Sequence, residues 1–271
     1  MQLYSHIHFL LESGAALVGS HDIHEYLASP PFGFARHYGV DTTGEGTVLG
    51  MLIAKNADDV SIDGRGEIDG QGDSFVAMQT SHGGKDYMPQ YVRNPGAFQA
   101  AMSTVEYGPV EPSNWPGTMI VFFHCTNVRL QGVTLRSAPN WTRHLQDVKG
   151  ATLTGFQILN NPKIPKNDGI DCMMCRYVTI SDCHIEAGDD DFAIVASEHV
   201  NASNCSLSSR SAAIRLESTR LSTFTSLSMD TNRGIAVLAN GYPGTGEPAD
   251  RRRHLLGRCH ADAPDPGRMV G

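Results

Sequence analysis

The chain has 271 residues, of which 40% are hydrophobic and 18% are charged, and its formal net charge is −8. This size and composition suit one globular or repetitive domain, and the acidic balance argues against general nucleic-acid binding and a basic membrane-binding surface. An acidic substrate is not excluded, because a local cluster of arginine or lysine can override the net field. Twenty-eight glycines and 14 prolines, with few helical patterns, indicate a turn-rich β protein.

The N-terminal segment is typical of a β-strand, since Ile7, Phe9 and Leu11 alternate with polar or small neighbours. It lacks the basic start and the cleavage site of a signal peptide, so no signal peptide is predicted. No apolar run approaches the roughly 20 residues that span a bilayer, so no membrane partner is expected.

An eight-residue phrase recurs along the chain every 22–27 residues. Five copies at this spacing begin at Val128, Ala151, Val178, Val200 and, more weakly, Ser222, and an earlier copy begins at Val60, with a one-residue bulge before Ile68. The third, sixth and eighth positions are almost all apolar, and the fifth position carries turn formers. The turn formers are Gly132, Gly155, Asp182, Asn204 and Ser226.

Short strands that meet at a fixed corner once per repeat predict an all-β fold, a single-stranded right-handed parallel β-helix. The apolar columns would form internal stacks, with neighbouring coils about 4.8 Å apart. A β-sandwich is the alternative, but it would have to produce five aligned copies by coincidence.

Residues 1–241 are expected to form the β-helix domain, with a long excursion at about 71–117 where the phrase is absent and prolines are frequent. The composition changes after Gly241, so 242–271 is predicted to be a disordered tail outside the core. The abrupt start and the lack of an obvious cap indicate an incomplete solenoid.

Two acidic segments stand about one repeat apart. Lys166–Asp171 reads KNDGID, Gly188–Ile194 reads GDDDFAI, and 21 residues separate Asp168 from Asp189. We therefore predict that these two carboxylates stack on neighbouring coils, about 5 Å apart. Carboxylates that close cannot both ionise cheaply, and a protonated acid beside an ionised partner is what glycoside hydrolysis uses.

Strand alternation predicts that Asp189 and Asp191 point outward and that Asp190 points inward, unless Gly188 relaxes the turn. Asp171 and Asp182 are interpreted as turn caps without a chemical role.

At these residues the chain resembles glycoside hydrolase family 28, the polygalacturonases and related pectin hydrolases, and its bacterial members in particular. That family carries Asn-Thr-Asp-Gly-x-Asp and, one coil later, Gly-Asp-Asp-Cys-x-Ala. The resemblance covers roughly residues 5–240 and includes Ile7–Ser20, Asp63–Gly70 and Ser137–Thr142.

The resemblance implies inverting hydrolysis of a pectic, galacturonate-containing polysaccharide, without a cofactor, by a secreted or periplasmic enzyme. By position, Asp189 would be the general acid, while Asp168 and Asp190 would hold and deprotonate the attacking water.

Two family motifs are missing. Ser211 stands where the family has the histidine of Gly-His-Gly, and the later Arg-Ile-Lys segment is absent, with only Arg233 nearby. These departures favour a branched or mixed pectic chain over plain polygalacturonate.

Five further residues are candidates for substrate binding. Arg210, Arg215 and Arg233 suit bidentate contacts with a uronate carboxylate, although each is also compatible with a surface role. Trp141 is a candidate for sugar stacking and His144 for lining the cleft; the alternatives are core packing for Trp141 and a surface role for His144.

No metal site is predicted, because Cys172 and Cys175 form a lone CxxC without a second pair. Cys183 and Cys205 share a column and are interpreted as packed thiols, with a disulfide as the alternative. Two other functions stay open: a calcium-dependent polysaccharide lyase that uses Asp189, Asp190 and Asp191, and a non-catalytic carbohydrate-binding or truncated inactive solenoid.

Overall fold

A computed structural model of the chain describes residues 1–29, 48–78, 110–112, 116–164, 166–231 and 233–238. Their regular structure is almost entirely β, apart from two 3₁₀ turns at Ile23–Glu25 and Gly72–Phe75. The fold is a right-handed parallel β-helix, which confirms the predicted fold class. Neither of the 3₁₀ turns in this part of the chain is long and apolar enough to be a membrane span.

One wall of the β-helix is an eight-stranded parallel sheet with one strand from each successive coil. In spatial order its strands are β1 (Gln2–Leu3), β6 (Leu52–Lys55), β11 (Ile120–Phe123), β14 (Arg143–Gln146), β17 (Ile170–Met173), β20 (Phe192–Val195), β22 (Ile214–Glu217) and β24 (Ile235–Leu238).

The remaining walls belong to a twelve-stranded sheet, which is parallel throughout. Its first group of strands is β2 (His8–Leu11), β7 (Asp58–Gly64), β12 (Thr126–Gln131), β15 (Lys149–Thr154), β18 (Arg176–Ser181), β21 (Glu198–Ser209) and β23 (Thr223–Thr231). Its second group is β3 (Ala16–Val18), β8 (Glu67–Asp69), β13 (Thr134–Arg136), β16 (Gln157–Leu159) and β19 (His184–Ala187).

Two short antiparallel pairs lie outside these sheets: β4 (Leu27–Ser29) with β5 (Val48–Gly50), and β9 (Val76–Met78) with β10 (Val110–Pro112). Most of the predicted excursion and the whole of 242–271 lie outside the described residues, so the predicted division of the chain stays a prediction.

The strand register follows the sequence repeat. Val128 pairs with Val60 on one side and with Ala151 on the other, and the ladder continues through Val178 to Val200. The alignment of the repeat is therefore confirmed residue by residue, because each column of the phrase is one stack of the ladder.

The fifth position of the phrase adopts the left-handed backbone conformation in each of these coils. The φ angles are 78° at Gly132, 61° at Gly155, 58° at Asp182, 54° at Asn204 and 53° at Ser226. Glycine, asparagine and aspartate tolerate this conformation best, which explains the turn formers in that column. Asn204 Nδ2 also donates a 2.6 Å hydrogen bond to Asp182 Oδ1 across adjacent coils, so Asp182 has the turn role predicted for it.

The inward columns form one continuous apolar core that includes Leu130, Leu153, Phe156 and Ile180. Burial of apolar surface contributes about 25 cal/mol per Å², and a single coil could not supply it alone. The five cysteines in the described part of the chain are buried free thiols, so Cys183 and Cys205 pack without a disulfide.

One polar residue interrupts the core. Arg143 occupies the inward position that Ile120 and Ile170 hold on the neighbouring coils. It is 0% exposed, its three guanidinium nitrogens have no hydrogen-bond partner among the described residues, and it lies 4.7 Å from the centre of the Phe156 ring. Desolvation lowers its pKa to about 10.

Candidate active site

The three predicted catalytic aspartates lie just before two adjacent strands of the eight-stranded sheet. Ile170 pairs with Phe192, and the backbone N–H of Gly169 donates to Asp190 O at 2.9 Å, which extends the same register back into the preceding turn. In that register Asp168 is level with Asp190. Paired residues on these two coils are 22 positions apart in the sequence, whereas Asp168 and Asp189 are 21 apart. The prediction that Asp168 stacks on Asp189 is therefore wrong by one residue.

All three side chains nevertheless meet. One carboxylate oxygen from each of Asp168, Asp189 and Asp190 lies within 4.8 Å of the other two. Asp168 and Asp190 are buried, at 4% and 3% exposure, whereas Asp189 is only partly buried. Asp190 does not take the inward orientation that strand alternation alone predicts, since its side chain turns toward the same cluster.

Asn167 fixes the turn that carries Asp168 against the turn that carries Asp189. Its Oδ1 accepts a 2.5 Å hydrogen bond from Gly188 N, and its Nδ2 donates to Asn161 O at 2.8 Å. Asn160 supports the same turn, because its Nδ2 donates to Asn167 O at 3.0 Å and to the Thr142 hydroxyl at 2.6 Å. These buried amides hold the two acidic turns in one relative position.

The close approach of the turns requires glycine at position 188. A Cβ atom there would lie 2.2 Å from Ile164 O and 2.6 Å from Asn167 Oδ1. Such distances do not occur between real atoms, so any side chain would push the two acidic turns apart.

Asp190 is held by four groups. Its Oδ1 accepts hydrogen bonds from the Ser211 hydroxyl at 2.7 Å and from Ala212 N at 3.0 Å. The guanidinium of Arg215 lies 3.9 Å from its Oδ2, and that of Arg233 lies 4.0 Å from its Oδ1. Two hydrogen bonds to one oxygen fix the orientation of this carboxylate.

Burial and mutual repulsion favour the protonated forms of the other two carboxyls. Desolvation and the neighbouring Asp190 raise the pKa of Asp189 to about 6, against the opposing effect of Ser211, Arg233 and Arg215. The pKa of Asp168 is raised well above its ordinary value, first by desolvation and then by the charges of Asp189, Asp171 and Asp190. The cluster therefore holds protons near neutral pH, as the sequence led us to expect.

A fourth carboxyl lies beside the cluster. Asp171 lies within strand β17, is 1% exposed, and its Oδ2 has no hydrogen-bond partner among the described residues. Desolvation and the charges of Asp190 and Asp189 raise its pKa well above the ordinary value, while Arg215 opposes the rise. The interpretation of Asp171 as a turn cap is wrong: it pairs with Ala193 in the sheet and faces the site. Its place in the acidic motif, three residues after Asp168, was the available signal.

Asp191 is not part of the cluster. It is 0% exposed, and neither of its carboxyl oxygens has a hydrogen-bond partner among the described residues. Desolvation, with the charges of Asp190 and Glu186, raises its pKa to about 9, so it is protonated at neutral pH. A neutral, fully buried carboxyl is a poor calcium ligand.

The arginine candidates divide into two groups. Arg215 and Arg233 reach the cluster through Asp190, and Arg215 also donates a 3.2 Å hydrogen bond to Glu217. Arg210 instead donates a 2.7 Å hydrogen bond to Pro162 O, in the turn that leads to Asp168.

Trp141 and His144 stack on each other, with ring centres 5.2 Å apart, and both are buried, at 6% and 0% exposure. Trp141 packs in a second apolar cluster on the outer face of the sheet with Ile53, Val121, Met173 and Val195. Desolvation lowers the pKa of His144 to about 3, which keeps it neutral. Their burial supports packing over sugar stacking for Trp141 and leaves no surface role for His144.

Known proteins resemble this chain in sequence and in fold. The family model described as glycosyl hydrolases family 28 matches residues 37–209. A protein of Arabidopsis thaliana named probable polygalacturonase is 32% identical over 91 residues, which are 32% of this chain and 20% of that protein.

Among solved structures, the polygalacturonase from Erwinia carotovora subsp. carotovora aligns with a TM-score of 0.63 at 20% identity. The hyperthermoactive exopolygalacturonase from Thermotoga maritima aligns with a TM-score of 0.55 at 17% identity. Each alignment covers 88% of this chain and 60% of the other, so the chain spans well under the full length of these proteins.

The fold and the acidic cluster define the class of protein: a parallel β-helix of the kind that polygalacturonases have. The chain belongs to glycosyl hydrolases family 28, since the family match extends over more than half of its residues.

Proposed function

We propose that the protein hydrolyses glycosidic bonds in a pectic, galacturonate-containing polysaccharide. The observation that carries the proposal is the convergence of Asp168, Asp189 and Asp190, whose oxygens lie within 4.8 Å of one another in a member of a glycosyl hydrolase family. Glycoside hydrolysis needs one carboxylic acid to protonate the leaving oxygen and one carboxylate to act on the opposite side of the reaction.

Asp189 is the proposed general acid. It is the most exposed of the three, so a glycosidic oxygen can reach it, and its pKa of about 6 keeps a useful fraction protonated in mildly acidic solution. Asp190, which is fixed by Ser211 and Ala212, is the proposed base that takes a proton from the attacking water, and Asp168 holds that water. The family implies inversion at the anomeric carbon.

Charge and the aligned relatives support the proposed substrate class. Arg215 and Arg233 add positive charge beside the carboxylates, which suits an acidic sugar despite the net charge of the chain. The two aligned structures are a polygalacturonase and an exopolygalacturonase. Because the Gly-His-Gly and Arg-Ile-Lys segments are absent, we propose a mixed or branched pectic chain. Such a substrate also implies a secreted or periplasmic location.

Incubation of the purified protein with polygalacturonate and with rhamnogalacturonan tests the proposal, with released reducing ends as the readout. We expect release by the wild type and its loss in Asp189→Asn. Asp182→Asn, at an exposed corner of the twelve-stranded sheet, is the matched control and should retain activity. Activity that survives Asp189→Asn would refute the acid assignment.

The same assay separates the alternatives. A calcium-dependent lyase would release unsaturated, UV-absorbing products and lose activity on addition of a chelator. A non-catalytic solenoid would bind the polysaccharides without releasing ends. Saturated products that persist with chelator present are the outcome expected of a hydrolase.

A further inference from the structure

Ser211 lies between the cluster and an arginine of the next coil. It is 1% exposed, and its hydroxyl donates the 2.7 Å hydrogen bond to Asp190 Oδ1. The same oxygen accepts a hydrogen bond from an Nη of Arg233, whose backbone N–H also donates to Ser211 O at 3.0 Å. Three consecutive coils of the β-helix are therefore joined through one serine.

The direction of this chain of hydrogen bonds is fixed by chemistry. A guanidinium has only donors, and a carboxylate has only acceptors, so the single serine proton must point at Asp190. A hydroxyl that accepts from a cation is polarised and becomes a better donor. Arg233 thereby acts on Asp190 both directly, at 4.0 Å, and through Ser211.

We propose that Ser211 is a positioning residue that connects Arg233 to Asp190 and fixes the carboxylate that acts on the attacking water. This inference rests on the proposed hydrolase function, and it assigns a role to the residue that replaces the histidine of the family motif. It also makes Arg233 part of the catalytic arrangement as well as a candidate contact for a uronate.

The arrangement around Asp189 gives the proposal a readout in pH. Asp189 is surrounded by Asp168, Asp171 and Asp190, by the guanidinium groups of Arg215 and Arg233, and by Ser211. The Ser211 hydroxyl, with its proton directed at Asp190, opposes the rise in the pKa of Asp189 that desolvation and the charge of Asp190 cause. Loss of the hydroxyl should therefore move the basic limb of the kcat/KM profile to higher pH, because the acid keeps its proton longer.

The kinetic experiment compares Ser211→Ala, Ser211→Thr and Arg233→Met with the wild type on the cleaved pectic substrate. A hydrogen bond to a charged group contributes about 1.5–3 kcal/mol, so kcat should fall roughly 10- to 100-fold in Ser211→Ala while KM changes less than about twofold. Ser211→Thr, which keeps the hydroxyl, should restore most of the rate. Ser206→Ala, at an exposed serine of the twelve-stranded sheet, is the matched control.

The double variant Ser211→Ala/Arg233→Met should lose little more activity than Arg233→Met alone, because Arg233→Met already removes the connection through Ser211 together with its direct effect on Asp190. A kcat of Ser211→Ala within twofold of the wild type, with an unmoved pH profile, would overturn the proposal. Fully multiplicative losses in the double variant would overturn it as well.

A second measurement works without turnover and keeps this inference separate from the proposed function. The loss of Tm on Ser211→Ala is compared in the wild type and in Asp190→Ala, or in Asp190→Asn if Asp190→Ala fails to fold. If the hydroxyl serves Asp190, the loss should be at least halved when the carboxylate is absent. Equal losses in both backgrounds would refute the connection, even if no pectic substrate is cleaved by the wild type.

Discussion

Asp168 and Asp190 occupy equivalent positions on adjacent coils, each two residues before a strand of the eight-stranded sheet. Asp189 lies one residue earlier and is level with Asn167, whose side chain binds Gly188 N. Asp168 and Asp190, which are level with each other, are the two residues proposed to act on the attacking water. Asp189, which is offset by one residue and more exposed, is the residue proposed to protonate the leaving oxygen.

The pH dependence of hydrolysis should follow the proton on Asp189. Its pKa of about 6, raised by desolvation and by Asp190, predicts that kcat/KM falls as pH rises through about 6, because a general acid must enter the reaction protonated. A kcat/KM profile between pH 3 and pH 9 measures this limb. A constant rate from pH 5 to pH 9 would contradict the assignment.

The stereochemical outcome is a separate prediction. The family implies inversion, whereas carboxyl groups about 5 Å apart are usual in retaining enzymes, and the three oxygens here are within 4.8 Å. We expect inversion, because a pair of carboxylates, Asp168 and Asp190, is available to hold a water. Proton NMR of the first-formed product identifies its anomer, and retention would show that one aspartate attacks the sugar directly.

Gly188→Ala should disrupt the site. The added Cβ would meet Ile164 O and Asn167 Oδ1 at 2.2 and 2.6 Å, so the acidic turns must separate, and we expect a loss of activity of at least about 100-fold with a lower Tm. Gly155→Ala is the matched control. Its Cβ would have no neighbour within 4 Å, and only the strain of φ +61°, about 1 kcal/mol, is expected, with activity retained. Equal activity in the two variants would contradict the packing argument.

Arg143→Leu should stabilise the β-helix. The guanidinium is buried without a hydrogen-bond partner, and leucine matches the apolar residues Ile120 and Ile170 of the same column. Replacement of buried charge by apolar side chains can contribute about 1–4 kcal/mol, so Tm should rise. Arg129→Leu removes a surface arginine near Asp63 and should change stability by less than about 1 kcal/mol. A drop in Tm for Arg143→Leu would show that its contact with Phe156 outweighs the desolvation.

The stability of the fold should decline with pH because of Asp191. Its pKa is raised to about 9 in the folded state, so between pH 4 and pH 9 the unfolded chain has lost a proton that the folded chain keeps. Stability then falls by up to about 1.4 kcal/mol per pH unit for one such group. Asp191→Asn should flatten the decline between pH 5 and pH 8 in urea unfolding, whereas Asp230→Asn, at an exposed site, should leave it unchanged. An unchanged slope in Asp191→Asn would contradict the raised pKa.

The repeated phrase was sufficient to predict the solenoid. Every copy from Val60 to Ser222 lies in the ladder position that the sequence alignment assigned, because apolar residues and left-handed corner residues such as Asn204 recur once per coil. Internal stacks are periodic, so the spacing of the sequence repeat determines their register.

The interval between the motifs also predicted that Asp168, Asp189 and Asp190 lie close together. It did not predict which of them are level, because the acidic residues lie in turns, where a change of one residue in coil length changes which side chains lie side by side. Asp171 and Asp191 show the same limit: burial and the absence of partner atoms decide their protonation, and both depend on residues from several coils.

The sequence by itself therefore determined the β-helix, its column register and the place on it where carboxylates gather, because these follow from a local pattern repeated along the chain. Only the tertiary structure decided that Asp168 is level with Asp190, that the buried Asp171 lies beside the cluster, and that Ser211 connects Arg233 to Asp190. The physical reason is that such contacts join turns on different coils, and their distances and desolvation arise only when the coils are stacked.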